Sequence, residues 1–198
     1  MLKNRAIILA AGSSTRMGSQ KMLLPFGEST ILETVIQNIR SSSVDSILVV
    51  LGANHEEILE VIKPLPVEVC INTNHLSGML SSVVCGFSAL PDDTSTALIF
   101  LGDQPGISPA VTNAVIRAYN DSLHGIVVPV SSHRRGHPLL VDFKYKREIG
   151  RLDLEKGLRA LMHHFPEDVL EVEVDDGGIL IDIDTPEDYS TAKKNRLR

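Results

Sequence analysis

Residues 9–21 read LAAGSSTRMGSQK, and they follow an apolar run, Ala6-Ile7-Ile8-Leu9, that reads as a buried strand. Small residues take over at once, and Arg16, Gly18 and Lys21 come next. Small side chains let backbone N–H groups approach a phosphate or a base closely. Arg16 and Lys21 set two positive charges beside them. The loop sits at the carboxyl end of the first strand, where open α/β sheets bind their ligands. Its composition suits a nucleoside triphosphate. Neither GxxxxGK[ST] nor GxGxxG occurs, so it is not a Walker loop or a dinucleotide fingerprint. A Gly-Ser turn with two surface cations is the competing account.

Working outward, apolar runs of strand length alternate with segments of helical period. After Ala6–Leu9, residues 31, 32, 35, 36 and 39 form one apolar helix face, with Ser29 or Thr30 as N-cap. Ser46–Leu51 is a second strand, His55–Lys63 a helix stopped by Pro64, and Val67–Ile71 a third strand. Met79–Leu90 is a helix and Ala97–Leu101 a fourth strand. Pro109–Tyr119 is helical. Ile126–Val130 and Leu139–Val141 are strands around the turn-rich SSHRRGHP. Leu154–His163 is a helix, Val169–Val174 and Ile179–Ile183 are strands, and Pro186–Lys194 is a closing helix. This alternation implies an α/β fold, a mostly parallel central sheet with helices on both faces, and an antiparallel part among the later strands. No repeat or linker divides the chain, so one domain over residues 1–198 is expected.

The 198 residues are 43% hydrophobic and 22% charged, an ordinary globular balance that argues against disorder. A net charge of −6 argues against broad nucleic-acid binding. No apolar run approaches the ~20 residues of a membrane span, and the N-terminus lacks a cleavable hydrophobic signal; a cytoplasmic location is expected. Cys70 and Cys85 form no CxxC pair and are expected to be buried free thiols.

Four further clusters carry chemistry. Leu101-Gly102-Asp103-Gln104-Pro105 places a carboxylate just beyond a buried strand, in the crevice of the first loop. Mg²⁺ prefers such oxygens and bridges protein to phosphates, although Asp and Pro also suit a type I turn. In Ile181-Asp182-Ile183-Asp184-Thr185-Pro186, alternating residues of a strand face opposite ways. Asp184 ends that strand, and Thr185-Pro186 opens a helix as cap and first-turn proline. In Asn74–Ser82, Gly78 and the serines open a helix whose N–H groups and hydroxyls suit an anion or a base edge, with helix capping as the equal competitor. Arg134-Arg135-Gly136-His137-Pro138 puts cations on a turn, which fits an anionic substrate or a solvated loop.

Five motifs in order, LAAGSSTRMGSQKMLLP, GMLSSVVCG, GDQP, GHPLLV and DIDTPEDY, resemble the nucleotidyltransferase family that includes the molybdenum cofactor cytidylyltransferases. The resemblance covers nearly the whole chain. It implies a Rossmann-like nucleotidyltransferase fold. It also implies roles: Leu9, Ala10, Ala11, Gly12 and Ser13 border the nucleotide with Gly78, and Arg16 and Lys21 hold its phosphates. Ser82 helps read the base. Asp103 and Asp184 hold Mg²⁺, with Asp182 in reserve, and Asp103 serves both nucleotide and metal. His137 and Pro138 lie on the side of the second substrate. LAAG is similar to the cytidylyl branch rather than the guanylyl branch, which tends to carry two adjacent glycines there.

The reaction so implied is attack by the terminal phosphate of molybdopterin on the α-phosphorus of CTP, releasing pyrophosphate, with Lys21, Arg16 and Asp103 as the catalytic groups. The product would serve a molybdenum-dependent dehydrogenase. Two alternatives stay open: the same fold with a sugar or polyol phosphate acceptor or with GTP, and a nucleotide-binding chaperone of the cofactor that does no chemistry.

Overall fold

The structure, a computed structural model, describes residues 2–12, 20–52, 55–122 and 124–196. Its elements run β1 (Asn4–Ala10), β2 (Pro25–Phe26), β3 (Ser29–Thr30), α1 (Ile31–Arg40), β4 (Ser46–Leu51), α2 (His55–Ile62), β5 (Glu68–Ile71), α3 (Met79–Ala89) and β6 (Thr96–Leu101). They continue with α4 (Pro109–Asp121), β7 (Ile126–Ser131), β8 (Arg134–Arg135), β9 (Leu139–Asp142), α5 (Lys146–Ile149), α6 (Arg159–His164), β10 (Val169–Glu173) and α7 (Pro186–Arg196).

β1 is apolar at nearly every position because both of its faces are covered, the signature of a central parallel strand. Ala6, Ile8 and Ala10 pack with residues of α1, α2 and α4 on one face. Ile7 and Leu9 pack with Leu80, Val83 and Phe87 of α3 on the other. The sheet order is β10-β7-β9-β6-β1-β4-β5, with β8 paired to β7. β1 runs parallel to β4 on one side and to β6 on the other. β9 returns antiparallel between β6 and β7, which is the expected antiparallel portion. The chain leaves β1 towards β4 and β5, then crosses back to lay β6 on the opposite side of β1. That reversal opens a crevice beyond the carboxyl ends of β1 and β6, where such sheets take ligands.

Local chemistry places the elements around the crevice. Thr30 caps α1: its hydroxyl accepts from the Glu33 N–H at 3.2 Å and the Glu33 carboxylate accepts from the Thr30 N–H at 2.8 Å, a reciprocal capping box. The SSHRRGHP segment is a β7–β8 hairpin whose Ser132 and His133 both have positive φ, as two-residue hairpin turns require. Thr185 caps α7, accepting from the Asp188 N–H at 3.1 Å. The Tyr189 hydroxyl donates to the Pro25 carbonyl at 2.5 Å, so the last helix is tied to the β2–β3 hairpin. Phe26, Ile31 and Ile183 form a small cluster at that junction.

Two expected elements differ. Ile179–Ile183 is not a strand: Gly177–Leu180 is a 3-10 turn, and the chain then crosses the end of the sheet without joining a ladder. Ile179 and Ile183 are fully buried while Ile181 is 48% exposed. The Ile-Asp alternation therefore reflects two apolar anchors and a bulge rather than a pleat. Helix α6 begins only at Arg159. Residues 153–158 form turns, with Gly157 at φ 66, a conformation that stops a helix running through them. Cys70 and Cys85 are free but half-buried, with their sulfurs 3.6 Å apart. No helix among the described residues is long and apolar enough to cross a membrane.

The crossing segment is held by a close backbone approach at Gly136, where a Cβ would lie 2.4 Å from the Ile179 carbonyl oxygen. Backbone cannot yield there as a side-chain tip would. Gly136→Ala should therefore destabilise the protein by about 2 kcal/mol, the order of a forced overpacking. The midpoint of a urea titration measures this, and an unchanged midpoint would mean that the 177–183 segment shifts freely.

Candidate active site

Three chain segments far apart in sequence meet in the crevice. Lys21 opens a 3-10 turn, Lys21–Leu23, just after the first loop, and it is buried. Its Nζ donates to Asp103 Oδ2 and, at 2.8 Å, to Asp184 Oδ1. The two carboxylates thus lie no more than about 6 Å apart, two hydrogen-bond lengths. Asp103 lies two residues past the end of β6, after Gly102, and its side chain is 14% exposed. Asp184 arrives on the crossing segment, which the Ile183 N–H pins to the Asp103 carbonyl at 3.1 Å. Asp188 fixes the next turn, its Oδ2 accepting from the Thr185 N–H at 2.9 Å and the Asp184 N–H at 3.3 Å.

Burial pulls the pKa of Lys21 down, but Asp103 and then Asp184 outweigh it, and the net shift is upward from 10.5. The ammonium is therefore charged throughout the neutral range. Asp103 Oδ1 is buried and accepts no hydrogen bond from the described residues. A buried carboxylate oxygen is costly to leave unpaired, so this atom suits a ligand or ion that supplies the missing partner. Two hard oxygen donors facing one cation suit Mg²⁺ or Mn²⁺, which take one or two carboxylates and complete their shell with phosphates and water. Among the described residues no group of three or more His, Cys, Asp and Glu side chains is placed to hold a metal alone. Asp103 and Asp184 thus fit a divalent ion that arrives with a phosphate ligand.

The remaining site residues fall into place unevenly. Leu9 and Ala10 end β1, and Ala11 and Gly12 follow it. Ser13 and Arg16 lie outside the described residues. Gly78 has φ 93 and precedes the first turn of α3. Ser82 is buried on α3, and its hydroxyl accepts from Asn72 Nδ2 at 3.0 Å. Asn72 also donates to Ser81 Oγ at 2.8 Å and accepts from the Asn74 N–H at 2.9 Å. Asn72 therefore shapes the loop before α3, and the sequence reading passed over it. Its one signal is an Asn directly after a strand and before a turn.

Asp182 Oδ1 accepts from Gln104 Nε2 at 2.6 Å. Partial burial, and then the charges of Asp103 and Asp184, push its pKa up. It stands beside the Lys21 cluster and outside it. Gln104, buried at the end of β6, had no role in the sequence reading. His137 Nδ1–H donates to the Ile99 carbonyl at 3.1 Å, which leaves Nε2 for a ligand. Burial lowers its pKa, so the imidazole is neutral. Pro138 is buried behind it. His137, Gln104 and Asp182 line one cleft, separate from the lysine cluster.

A family model described as the MobA-like NTP transferase domain matches residues 6–169. The chain belongs to the MobA-like NTP transferase family. That model ends before Asp184, so the family match covers Lys21 and Asp103 and leaves the second carboxylate to the geometry alone. Over 190 residues the chain is 32% identical to a molybdenum cofactor cytidylyltransferase of Escherichia coli K12, covering 95% of this chain and 94% of that protein. It is 26% identical over 188 residues to a nicotine blue oxidoreductase of Paenarthrobacter nicotinovorans, covering 91% and 92%. The crystal structure of Rv0371c from Mycobacterium tuberculosis H37Rv superposes with a TM-score of 0.86 at 26% identity over 98% of both chains. The manganese complex of Rv0371c gives 0.82 at 25%, over 97% of this chain and 98% of that one. The fold is the Rossmann-like nucleotidyltransferase fold, and the protein is an enzyme of that kind.

Lys21 has a raised pKa, so its ion pairs contribute stability fully below 10.5 and lose it as pH rises through the folded value. In metal-free protein, Lys21→Met should be less stable than wild type by a constant amount from about pH 7 to about pH 9, and the gap should close at higher pH. Urea midpoints across that range measure it. A gap that already narrows below about pH 9 would contradict the raised pKa.

Proposed function

We propose that the enzyme transfers CMP from CTP to the terminal phosphate of molybdopterin, with pyrophosphate as the leaving group. The observation that carries this reading is the lysine held between Asp103 and Asp184 at the switch point of the sheet. The name of the Escherichia coli relative supports CTP and the molybdenum cofactor, and the LAAG loop supports CTP over GTP. The manganese complex of the Mycobacterium tuberculosis relative supports a divalent ion.

An oxygen of the acceptor phosphate attacks the α-phosphorus, a new P–O bond forms, and the bond from the α-phosphorus to the pyrophosphate oxygen breaks. A phosphate is already ionised near neutral pH, so no strong general base is needed. Charge neutralisation and in-line placement then supply the acceleration. Held by Asp103 and Asp184, a divalent ion would offset phosphate charge and polarise the α-phosphorus. Lys21 is a compact point charge on a flexible stem. It can turn from the carboxylates to the phosphates and stabilise the charge that grows as pyrophosphate departs. Ala11, Gly12 and Gly78 border the nucleotide, where small residues leave backbone N–H groups accessible. Arg16 suits the departing pyrophosphate through its planar fork of donors. Ser82, buried under Asn72, serves the base through the loop it supports. His137 and Pro138 face the acceptor.

Pyrophosphate release measured with CTP and molybdopterin tests the reading, with GTP and a sugar phosphate as comparison substrates. CTP with molybdopterin should give the highest kcat/KM. A higher value with GTP, or with the sugar phosphate, would replace the assigned substrate. Asp103→Asn should lower kcat by about a hundredfold or more while the circular dichroism spectrum is kept; near wild-type turnover would remove Asp103 from the centre. Lys21→Ala should slow single-turnover chemistry more than it weakens CTP binding, and equal losses would make Lys21 a ground-state contact only.

A further inference from the structure

Cys70 on β5 and Cys85 on α3 are the two cysteines of the chain. Their sulfurs lie 3.6 Å apart, and both residues are half-buried against the core between α3 and the sheet. The transfer reaction uses neither. A second bridge joins the same two parts of the fold. Asn72, just past β5, donates through Nδ2 to Ser81 Oγ at 2.8 Å and to Ser82 Oγ at 3.0 Å. Cys70 and Asn72 have the spacing of one strand face, and Ser81 and Cys85 that of one helix face. The thiol contact and the Asn72 bonds are thus neighbouring rungs. Asn72 also accepts from the Asn74 N–H at 2.9 Å, and Ser81 Oγ lies 3.0 Å from the Asn74 carbonyl and 2.7 Å from that of Gly78. The Asn72 rung therefore holds the loop that leads into α3.

We propose that Cys70 and Cys85 form a redox site that closes to a disulfide, and that closure loosens the loop before α3 and weakens nucleotide binding. The inference rests on the reading that this loop and Ser82 serve the nucleotide. Disulfide sulfurs are about 2.05 Å apart, so closure shortens the contact by about 1.5 Å. Helix α3 resists the pull. At Gly86, next to Cys85, a Cβ would lie 2.7 Å from Ile7 Cγ2, so the helix already rests directly on β1. β5 is the edge strand beside β4. It is the element that yields, and Asn72 moves with it. Bonds of 2.8 and 3.0 Å are already at their best length, so displacing Asn72 weakens them. The oxidant is a low-molecular-weight disulfide such as oxidised glutathione. One cysteine loses its proton to water and attacks a glutathione sulfur, whose S–S bond breaks and frees one glutathione. The other cysteine, deprotonated in turn, attacks the mixed disulfide and expels the second. Two protein thiols are oxidised, and one glutathione disulfide is reduced to two thiols. Burial and then the Cys85 thiol push the Cys70 thiol up to about 12, so its thiolate is scarce near neutral pH and closure is slow.

The test incubates the full chain with oxidised glutathione. With two cysteines in the chain, intact mass identifies the product. A monomer lighter by two hydrogens is expected, with no glutathione attached. Oxidation should weaken CTP binding, measured by calorimetry, by about fivefold or more, the scale of one lost hydrogen bond. It should also speed amide hydrogen exchange over residues 72–82. Dithiothreitol should reverse both effects. Cys85→Ser should keep the affinity of the reduced wild type after the same treatment, and Cys70→Ser replaces it if that variant does not fold. Thiols that stay reduced, or glutathione that stays attached, overturn the proposal. So does a disulfide that leaves exchange unchanged, or that leaves the affinity of a CTP-binding protein unchanged. Failure of the transferase reading looks different: the reduced protein would bind no CTP, while oxidation still speeds exchange over 72–82.

Discussion

One ammonium nitrogen, Nζ of Lys21, joins residues that lie 82 and 163 positions away along the chain. Removing a partner from a largely buried ion pair leaves an uncompensated charge, which costs far more than a surface pair contributes. Asp103 and Lys21 are the buried members, and Asp184 is 45% exposed. The pair with Asp103 therefore dominates, and Asp184 is the more easily released side. That asymmetry suits a centre that must exchange its internal cation for ligands. The stable carboxylate keeps its place, with one oxygen on lysine and the other unpaired among the described residues.

The sheet makes that meeting possible. Because β1 is covered on both faces, a ligand can reach it only from beyond the end of the strand. β1 and β6 are adjacent and parallel, in register from Asn4 with Thr96 to Leu9 with Leu101. The loops that leave them therefore start side by side. The third contributor needs no strand. It is a strap over the sheet end, anchored by Ile179 and Ile183, by the close approach of Gly136 and by the capped start of α7. The same strap carries Asp182 to the acceptor cleft and Asp184 to the lysine, which couples the two halves of the site through three residues.

Much of this was legible in the residues. Doubly buried parallel strands leave near-continuous apolar runs, so Ser46–Leu51 and the core of β1 and β6 could be read with small boundary errors. Asp103 and Asp184 stood out because each follows an apolar run and precedes a proline-containing turn. Two failures have physical causes. Alternating Ile and Asp satisfies a pleat and a strap with two anchors equally well, so Ile179–Ile183 was misread. Asn72 and Gln104 act through contacts with separate segments, and no local pattern marks such a residue. The GHP motif was visible, but the cleft that gives it meaning is made by β8, α6 and the strap together.

The account turns on Asp103 and Asp184 sharing one divalent ion in the presence of nucleotide. Titration of Mn²⁺ with the protein and CTP, followed by the loss of the free-ion electron paramagnetic resonance signal, measures this directly. Wild type should take up one tightly held ion per chain with CTP, and Asp103→Asn combined with Asp184→Asn should weaken that binding by about a hundredfold or more. Equal Mn²⁺ uptake by the wild type and the double variant would contradict it.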